Sequence, residues 1–431
     1  MNFEKICVLG LGYIGLPTAS TFATHGLRVI GVDVNPQVVD TLRTGGLHIH
    51  EPGLRTLVQA ALGSGNLTIN QQPEPADAFI IAVPTPFYAD KRADMRSVIA
   101  AAESIVPYLR PGNLVVLEST SPPRTTIDLL VPILEKSGFK AGANQPDQGF
   151  LLAYSPERVL PGQILRELIE NARVIGGVDR ASAEAGRDLY GLFVRGEIIL
   201  TNATTAEMVK LMENTSRDVN IAIANEFARL ADRFGVDVWE AIGIANRHPR
   251  VKILKPGPGV GGHCISVDPW FLVEAAPDLT PLIRTARQVN DHQPQVVVDL
   301  IREQLGSLEG RRIAILGLAY KPDVDDLRES PAVEVIHLLT RAGARVLAFE
   351  PFKLDAKIAG VHSVPSLEDA LAGAELVALL VNHTPLRELQ PEDLLRRTPA
   401  RLLVDTVNGW AGKDWESAGF KLSRLGVGRE A

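Results

Sequence analysis

Residues 5–33 hold the pattern that most constrains the fold of this 431-residue chain. An apolar run, Lys5–Leu9, is followed at once by the glycine turn GLGYIG at residues 10–15 and by an alanine-rich helical pattern. A second apolar run, at residues 28–32, ends at Asp33. The order of strand, glycine turn, helix, strand and acid is typical of the first unit of a doubly wound parallel sheet.

The glycine turn predicts a dinucleotide site. Gly10 permits the tight turn, Gly12 lets a pyrophosphate approach the helix N-terminus, and Gly15 lets helix and strand come close. Asp33 follows Gly10 by 23 positions, where a carboxylate can accept hydrogen bonds from both ribose hydroxyls and would repel a 2′-phosphate. NAD is therefore favoured over NADP as the cofactor. The alternative is a glycine turn that serves packing only.

Two further strand patterns end in threonine-bearing turns. Thr85 follows the pattern at residues 78–83, and Thr120 follows the pattern at residues 114–117. Both lie at strand C-termini, the side on which doubly wound sheets bind ligands. Each threonine could hydrogen-bond the cofactor or simply cap its turn.

A charged pair follows the next predicted strand. Glu157 and Arg158 come directly after the apolar run at residues 151–154 and its Ser-Pro turn. Charged residues at a strand tip suggest a site, and the alternative is a solvated ion pair on the surface.

The middle of the chain is dominated by a long helical pattern. It is predicted to begin in a capping box at Thr204–Glu207 and to run to about Phe234. Its surface is apolar nearly all round, so we interpret it as a spine between domains that also meets a second subunit. Lys210, Asn214 and Arg217 share one face. A lysine in such a helix can serve as acid or base, and the alternative is a solvated polar stripe.

A glycine- and proline-rich loop at residues 255–262 leads into Cys264 and, four positions later, Asp268. Such a loop lets the backbone approach a ligand closely. Cys264 is therefore either a nucleophile held near substrate or an unreactive surface thiol. Just before the loop, His248 and Arg250 could bind an anionic phosphate or could decorate a helix end.

The last third of the chain repeats the opening order of elements. A strand at Arg312–Leu316, a turn at Gly317, a helix at Pro331–Arg341 and a strand at Arg345–Phe349 are predicted. The polar segment between turn and helix, residues 323–330, is either a lid or merely mobile.

These patterns predict an α/β fold with two Rossmann-like, doubly wound parallel-sheet domains joined by a long central helix and a helical middle domain. We place the domains at residues 1–200, which bind NAD, at residues 201–300, which form the dimerisation and catalytic part, and at residues 301–431, which bind a nucleotide-linked substrate.

Composition excludes several classes of protein. The net charge is −7 without a basic run, so nucleic acid is not an expected partner. The two cysteines, of which Cys7 lies in an apolar run, make neither a disulfide framework nor a metal site. No signal peptide or membrane-spanning run is apparent, and a reducing cytoplasm suits a reactive thiol.

Seven motifs, in this order, resemble those of the UDP-glucose/GDP-mannose dehydrogenase family over nearly the whole chain. They are GLGYIG at 10–15, VPTP at 83–86, EST at 118–120, SPE at 155–157, E-x-x-K-x-x-x-N at 207–214, GGHC-x-x-x-D at 261–268 and YKPDVDDLRES at 320–330. The segments SPERVLPG, NRHPRV and PGPGVGGHCISVDPWF are most similar to members that act on UDP-linked N-acetyl-hexosamines.

The resemblance implies two successive oxidations of a UDP-sugar C6 alcohol to a carboxylate with NAD as oxidant. The long apolar helix predicts a homodimer, and the reactive thiol suits a cytoplasmic enzyme. It assigns Cys264 as the nucleophile that forms a thiohemiacetal and then a thioester, and Lys210 with Asn214 as the acid/base and oxyanion-stabilising pair. Asp268 and Thr120 would position or activate water, and Glu157 would assist thioester hydrolysis.

The resemblance also implies two sets of binding residues. Cofactor contacts besides the three turn glycines match Tyr13, Ile14, Asp33, Thr85, Thr120 and Arg328. Substrate contacts match Arg158, Val159, Lys210, Asn214, Arg217, His248, Arg250, Gly261 and Lys321.

The chain departs from the family pattern at two positions. UDP-glucose relatives often have a cation where this chain has Val38, and a second acid where it has Pro161. Two rival functions are a non-catalytic nucleotide-sugar sensor and a two-electron β-hydroxyacid dehydrogenase. Cys264 argues against both, since a four-electron oxidation needs a group that holds the aldehyde.

Overall fold

The computed structural model describes residues 1, 3–142, 149–262 and 264–428. The chain folds into two compact units. Unit 1 comprises Met1–Glu213 with Trp270–Pro277, and unit 2 comprises Asn214–Pro269 with Asp278–Ala431. The prediction of three domains bounded near residues 200 and 300 stays a prediction.

Unit 1 is built on one sheet. Its strands, in chain order, are β1 (Lys5–Leu9), β2 (Arg28–Val32), β3 (Leu67–Asn70), β4 (Ala78–Ile81), β5 (Leu114–Leu117), β6 (Lys140–Ala141), β7 (Gly149–Tyr154), β8 (Arg173–Gly177) and β9 (Ile198–Asn202). Within the described residues the spatial order is β3-β2-β1-β4-β5-β7-β8-β9, with β6 beside β7. Neighbouring strands are parallel except for β7 and β8, which run antiparallel.

Helices cover both faces of this sheet, so its central strands are apolar throughout. The helices are α1 (Gly15–Thr24), α2 (Pro36–Arg43), α3 (Leu54–Gly63), α4 (Arg96–Ile105), α5 (Val131–Leu134), α6 (Ile164–Glu170) and α7 (Arg180–Tyr190). A π-helical segment, Thr125–Leu130, precedes α5. One apolar cluster contains Ile6 and Val8, and the other contains Cys7 and Leu9, which reflects the alternation of side chains along β1.

Unit 2 contains the second sheet. Its strands are β10 (Arg312–Leu316), β11 (Arg345–Phe349), β12 (Ser363–Val364), β13 (Leu376–Leu379), β14 (Leu402–Asp405) and β15 (Lys421–Arg424). Their order is β12-β11-β10-β13-β14-β15, and all the pairs among the described strands are parallel. The predicted α/β class with parallel sheets is therefore confirmed in both units.

The helices of unit 2 form the predicted helical middle and the layers on the second sheet. They are α9 (Val238–Ala245), α11 (Pro281–Leu305), α12 (Pro331–Arg341), α13 (Leu367–Leu371), α14 (Thr384–Arg387) and α15 (Pro391–Arg397). Helices α8 (Ala203–Phe234) and α10 (Asp268–Ala275) each contribute residues to both units along the chain.

The predicted capping box at Thr204–Glu207 is wrong. Helix α8 begins at Ala203, and the Asn202 side chain accepts from the N–H of Thr205 at 2.8 Å. The Glu207 carboxylate instead accepts from the N–H groups of Arg124 (2.5 Å) and Thr126 (2.7 Å). It therefore caps the π-helical segment, whose first amides lack partners within that segment.

Candidate active site

The glycine turn of unit 1 has the geometry of a dinucleotide site. Gly10 has φ +91°, and a Cβ there would lie 2.5 Å from the carbonyl oxygen of Ala82. A Cβ on Gly15 would lie 1.8 Å from the carbonyl oxygen of Gly10, whereas a Cβ on Gly12 would meet no atom within 4 Å. Gly10 and Gly15 thus allow close packing, and Gly12 faces open space that a pyrophosphate can enter.

Asp33 closes this site at the end of β2. Its carboxylate accepts from the N–H of Leu11 at 3.0 Å and from the N–H of Asn35 at 2.9 Å. The acid is thereby held beside the glycine turn. Tyr13 and Ile14, in the turn itself, are half-buried. Contacts of Tyr13, Ile14 and Asp33 with NAD stay a prediction.

The threonines predicted to contact the cofactor lie beyond neighbouring strands. Strands β4 and β5 pair directly, so Thr85 and Thr120 follow adjacent strand ends. Thr85 is buried and Thr120 is half-buried. Between them, the Ser119 hydroxyl donates to the carbonyl oxygen of Val83 at 2.7 Å and ties the two tips together. Contacts of either threonine with NAD stay a prediction.

Glu157 and Arg158 are not paired through their side chains, because each binds a different residue. The Arg158 guanidinium donates to the Glu213 carboxylate (3.0 Å from Nε) and to the carbonyl oxygen of Ala172. The Glu157 carboxylate accepts from the Arg173 guanidinium at 3.0 Å and from the N–H of Arg158 at 2.7 Å. The alternative of a solvated Glu157–Arg158 ion pair is therefore wrong.

Sequence reasoning missed two residues here, Glu118 and Arg173. The Arg173 guanidinium also donates to the buried Glu118 carboxylate at 2.5 Å. Full burial, only partly offset by Arg173, raises the pKa of Glu118 to about 7. One signal was present in the sequence. Arg173 begins the apolar run of β8, and an arginine at such a position needs a partner when it is buried.

Unit 2 brings three predicted catalytic residues into one chain of hydrogen bonds. The Asn214 side-chain amide donates to the Asp268 carboxylate at 2.5 Å. The N–H of Asp268 donates to the carbonyl oxygen of Cys264 at 2.8 Å. Cys264 is half-buried, and Asp268 is 1% exposed at the first residue of α10. The cysteine turn is therefore attached to helix α8 through Asp268.

Lys210 lies four positions before Asn214 in the continuous helix α8. This spacing puts the two side chains on the same helix face, as predicted. Lys210 is 8% exposed, so its ammonium group is largely shielded from solvent. An ammonium group in such surroundings stabilises a nearby anion more strongly than it would in water.

The glycine-rich loop lies against the segment that carries Lys321 and Arg328. A Cβ on Gly261 would lie 2.4 Å from the carbonyl oxygen of Glu329, and the N–H of Gly262 donates to the carbonyl oxygen of Arg328 at 3.2 Å. Packing alone therefore requires glycine at 261, whose contact with substrate stays a prediction. His263, in the same motif, lies outside the described residues.

The loop is also held from behind by a buried polar network. The N–H of Gly257 donates to the Asn225 side chain at 2.9 Å, and Asn225 donates to Asn290 at 3.0 Å. Asn290 in turn donates to Asp218 (2.8 Å), which binds the Arg287 guanidinium (2.5 Å). This network joins the cysteine loop to helices α8 and α11.

The second sheet has a crevice unlike the first. Glu350, at the end of β11, accepts from the N–H groups of Leu318 (2.7 Å) and Ala319 (3.0 Å) and contacts the ring of His383 (3.0 Å). The turn amides are thus used internally, and Ala319 stands where the first domain has the open Gly12. This crevice does not repeat the pyrophosphate site, as the incomplete fingerprint predicts.

A cavity of about 270 Å³ lies beside this turn. It is lined by Lys255, Gly259, Lys321, Leu380, Asn382 and Val407, among others. The positive charges among the described lining residues are those of Lys255 and of Lys321, which is a predicted substrate contact. Apolar walls with a few convergent polar groups are typical of a ligand site.

The remaining predicted residues lie in several places. Arg328 forms a two-point ion pair with Asp326 (2.7 Å from Nη2) in the polar loop. Arg217, His248 and Arg250 are exposed, the last two in the turn that follows α9. Val159 is half-buried and packs on the apolar cluster of unit 1. Contacts of all these residues with a ligand stay predictions.

Family models match nearly the whole chain. The NAD binding domain of the UDP-glucose/GDP-mannose dehydrogenase family matches residues 4–194, its central domain matches residues 204–292, and its UDP binding domain matches residues 314–411. The chain belongs to the UDP-glucose/GDP-mannose dehydrogenase family. It is an NAD-dependent nucleotide-sugar dehydrogenase, as the motifs predict.

Relatives of known name are similar over nearly full length. A UDP-N-acetyl-D-mannosamine dehydrogenase of Methanocaldococcus jannaschii is 47% identical, over 99% of this chain and 98% of its own. An NDP-N-acetyl-D-galactosaminuronic acid dehydrogenase of Ralstonia solanacearum is 48% identical, over 96% of this chain and 98% of its own. The solved structure of a UDP-D-ManNAc dehydrogenase from Pyrococcus horikoshii has a TM-score of 0.91 at 38% identity, over 99% of this chain and 100% of its own.

The helices in the described part of the chain include none that is long and apolar enough to cross a membrane.

Proposed function

We propose that the protein oxidises the C6 alcohol of UDP-N-acetyl-D-mannosamine to the carboxylate, for use in surface polysaccharide synthesis in the cytoplasm. The observation that carries the chemistry is the bonded series Asn214, Asp268 and Cys264, because it holds a thiol turn against the helix that also carries Lys210. The sugar is supported by the name of the Methanocaldococcus relative and by the motifs around Arg158 and His248.

A second candidate is another UDP-N-acetyl-hexosamine. The Ralstonia relative, with a different sugar in its name, is as similar to this chain as the Methanocaldococcus relative. UDP-N-acetylglucosamine is the alternative suggested by the motifs themselves.

When NAD⁺ is bound, it would accept a hydride in each of the two oxidations. After the first oxidation, the Cys264 thiolate adds to the aldehyde carbon, and the resulting alkoxide takes a proton to give a thiohemiacetal. The second oxidation converts this adduct to a thioester on Cys264. The thiol serves this step because the aldehyde carbon must first become a tetrahedral adduct before it can give up a second hydride, and a covalent adduct also holds the aldehyde in the site.

Lys210 and Asn214 act on the oxygen of the reacting carbon. Lys210 accepts the alcohol proton or stabilises the oxyanion that forms when the thiolate adds, and Asn214 donates a second hydrogen bond. Asp268 orients Asn214, since its carboxylate accepts from the Asn214 amide in the structure. The nucleophile therefore lies on the cysteine turn, and the groups that stabilise the oxyanion lie on helix α8.

Thioester hydrolysis completes the reaction. Glu157 accepts a proton from water as the water oxygen attacks the acyl carbon, and Cys264 leaves as the carbon–sulfur bond breaks. The products are the UDP-linked uronate and the regenerated thiol. Thr120 contributes a hydroxyl that can position the same water.

We expect turnover of UDP-N-acetyl-D-mannosamine to yield two equivalents of NADH per sugar. The test is a panel of UDP-N-acetylmannosamine, UDP-N-acetylglucosamine, UDP-N-acetylgalactosamine and UDP-glucose, with kcat/KM and the NADH-to-sugar ratio measured for each. A mannosamine preference of at least about tenfold over every other sugar is expected, as one misplaced polar group commonly discriminates that strongly.

Faster turnover of UDP-glucose than of all the N-acetylated sugars would contradict the substrate proposal. A ratio of one NADH per sugar would contradict the four-electron reaction itself. A preference for another N-acetylated sugar would select the second candidate and leave the chemistry intact.

We further propose a homodimer formed across helix α8. Four large apolar side chains on this helix are exposed: Ile223 (40%), Phe227 (39%), Leu230 (48%) and Phe234 (71%). Their spacing of four, three and four places them on one face, whereas Ala224, Ala228 and Ala231 of the same helix are buried. A contiguous apolar face of this kind marks an interaction surface, and a second copy of the helix offers a matching one.

Replacing Phe227 and Leu230 together by glutamate is expected to convert the dimer to monomer, because both charges would be buried without partners. Light scattering at micromolar concentration gives the mass directly. Leu282→Glu is the matched control, since Leu282 is 68% exposed on helix α11 and lies outside the apolar face. A native protein that scatters as a monomer would show the proposal to be wrong.

A further inference from the structure

Arg173 binds two carboxylates at once in the interior of unit 1. Its guanidinium donates to Glu118 at 2.5 Å through one terminal nitrogen and to Glu157 at 3.0 Å through the other. Its Nε donates to the Ser155 hydroxyl at 2.9 Å. The Arg173 and Glu118 side chains are 5% and 0% exposed, whereas Glu157 is 10% exposed at the edge of the cluster.

The cluster has one more negative charge than positive when both carboxylates are ionised. The groups that face Glu118 are Arg173 from β8, Tyr190 from α7, whose hydroxyl donates at 2.7 Å, and Glu157 from the turn after β7. The second oxygen of Glu118 is buried and has no hydrogen-bond partner among the described residues. A buried excess charge is costly, so the cluster favours the uptake of one proton.

We propose that Arg173 is a positioning residue that holds Glu157 for thioester hydrolysis, and that Glu118 is the buried partner that makes the cluster receptive to the proton that Glu157 removes from water. The inference rests on the proposed role of Glu157 in that step.

The charge balance explains how the arrangement would work. Before hydrolysis, Arg173 is shared between two carboxylates. As water attacks the thioester, its proton moves to Glu157, the new carbon–oxygen bond forms and the carbon–sulfur bond to Cys264 breaks. The cluster then contains one cation and one carboxylate, so it is neutral. Protonation of Glu157 thus relieves the unfavourable excess charge.

The test uses Glu118→Gln in the full-length enzyme. The variant keeps the shape of the side chain and removes the excess charge, so it is not expected to destabilise the fold. Acyl-enzyme is formed with UDP-N-acetyl-D-mannosamine and NAD⁺, and its hydrolysis is followed by rapid quench and mass spectrometry from about pH 5 to about pH 9.

We expect the acid limb of the hydrolysis profile to move to lower pH by about one unit in Glu118→Gln, because the remaining carboxylate has the whole Arg173 charge to itself. Hydrolysis at higher pH should be slowed several-fold, because a less receptive base accepts the proton less readily. The rate at which the adduct forms should not change.

Two further variants sharpen the result. Tyr190→Phe removes a hydrogen bond to Glu118 without changing the charge. Its effect on the hydrolysis profile should have the same direction as that of Glu118→Gln, be smaller and disappear at high pH. Arg173→Lys keeps the charge but loses the two-point contact, and should slow hydrolysis without slowing adduct formation. Glu103→Gln, at an exposed residue that pairs with Lys136 at 3.1 Å, is the matched control.

An unchanged hydrolysis profile in Glu118→Gln would overturn the inference. If Glu157→Gln nevertheless accumulates the adduct, only the role of the cluster is wrong and the proposed function stands. If neither variant affects hydrolysis, the role of Glu157 in the proposed function is wrong as well.

Discussion

Cys264→Ala is expected to lower turnover by on the order of 10³-fold or more, because no other described side chain is proposed to hold the aldehyde. Binding of UDP-sugar and NAD⁺ should survive, since the glycine turn of unit 1 and the crevice beside Lys321 are untouched. Cys264→Ser should be nearly as impaired, because an unactivated hydroxyl is a much poorer nucleophile than a thiolate. Steady-state NADH production and calorimetric binding measure the two properties separately.

The covalent intermediate can be observed directly. In Glu157→Gln, in which hydrolysis is slowed, mass spectrometry of enzyme quenched during turnover should show a sugar adduct on the peptide that contains Cys264. Cys7→Ala is the matched control. Cys7 is fully buried in β1, and burial raises the pKa of its thiol to about 12, so it stays protonated and unreactive. Near-native turnover by Cys264→Ala, without an adduct in Glu157→Gln, would refute the covalent mechanism.

Lys210→Met is expected to lower kcat by about 10²- to 10⁴-fold with a small effect on substrate affinity. Methionine has a similar length but no charge, so both the proton transfer and the stabilisation of the oxyanion are lost. Because Lys210 acts before the acyl-enzyme forms, its replacement should prevent the adduct on Cys264 from accumulating. This outcome separates Lys210 from Glu157, whose replacement should accumulate the adduct.

The control for this experiment is Lys136→Met, which removes a lysine that is 60% exposed and pairs with Glu103. Its activity and melting temperature should match those of the native enzyme. A Lys210→Met variant that melts normally and turns over at more than about a tenth of the native rate would exclude Lys210 as acid or base.

Inner strands of both sheets were predictable where helices bury them on both faces, whereas the outer strands β3, β9 and β15, which are only partly buried, were not predicted. Strands β1, β2, β10 and β11 have the bounds predicted from apolar runs, since a parallel strand covered by helices is apolar throughout. The glycine turn was predictable for a related reason. Its function depends on residues 10–15 and on Asp33 at the end of the next strand, all within one local unit.

The capping box failed because local pattern could not show a distant competitor. Glu207 has the spacing to cap helix α8, but the amides of Arg124 and Thr126, more than 80 positions away, take its carboxylate. Similarly, α8 was predicted to be apolar nearly all round. Only the structure shows that its alanines face inward and that Ile223, Phe227, Leu230 and Phe234 remain exposed.

The α/β class and the dinucleotide turn could be predicted from the sequence, as could the thiol, lysine and amide of the proposed catalytic set, because each depends on short spacings or on a residue type that little else can replace. Tertiary structure alone decided which groups meet. Asn214 contacts Asp268, which lies 54 positions away in the sequence. Arg173 binds Glu118, which lies 55 positions away, and Glu157, which lies 16 positions away. Such pairs form because the fold buries charged and polar groups, which must then find partners wherever in the chain these lie.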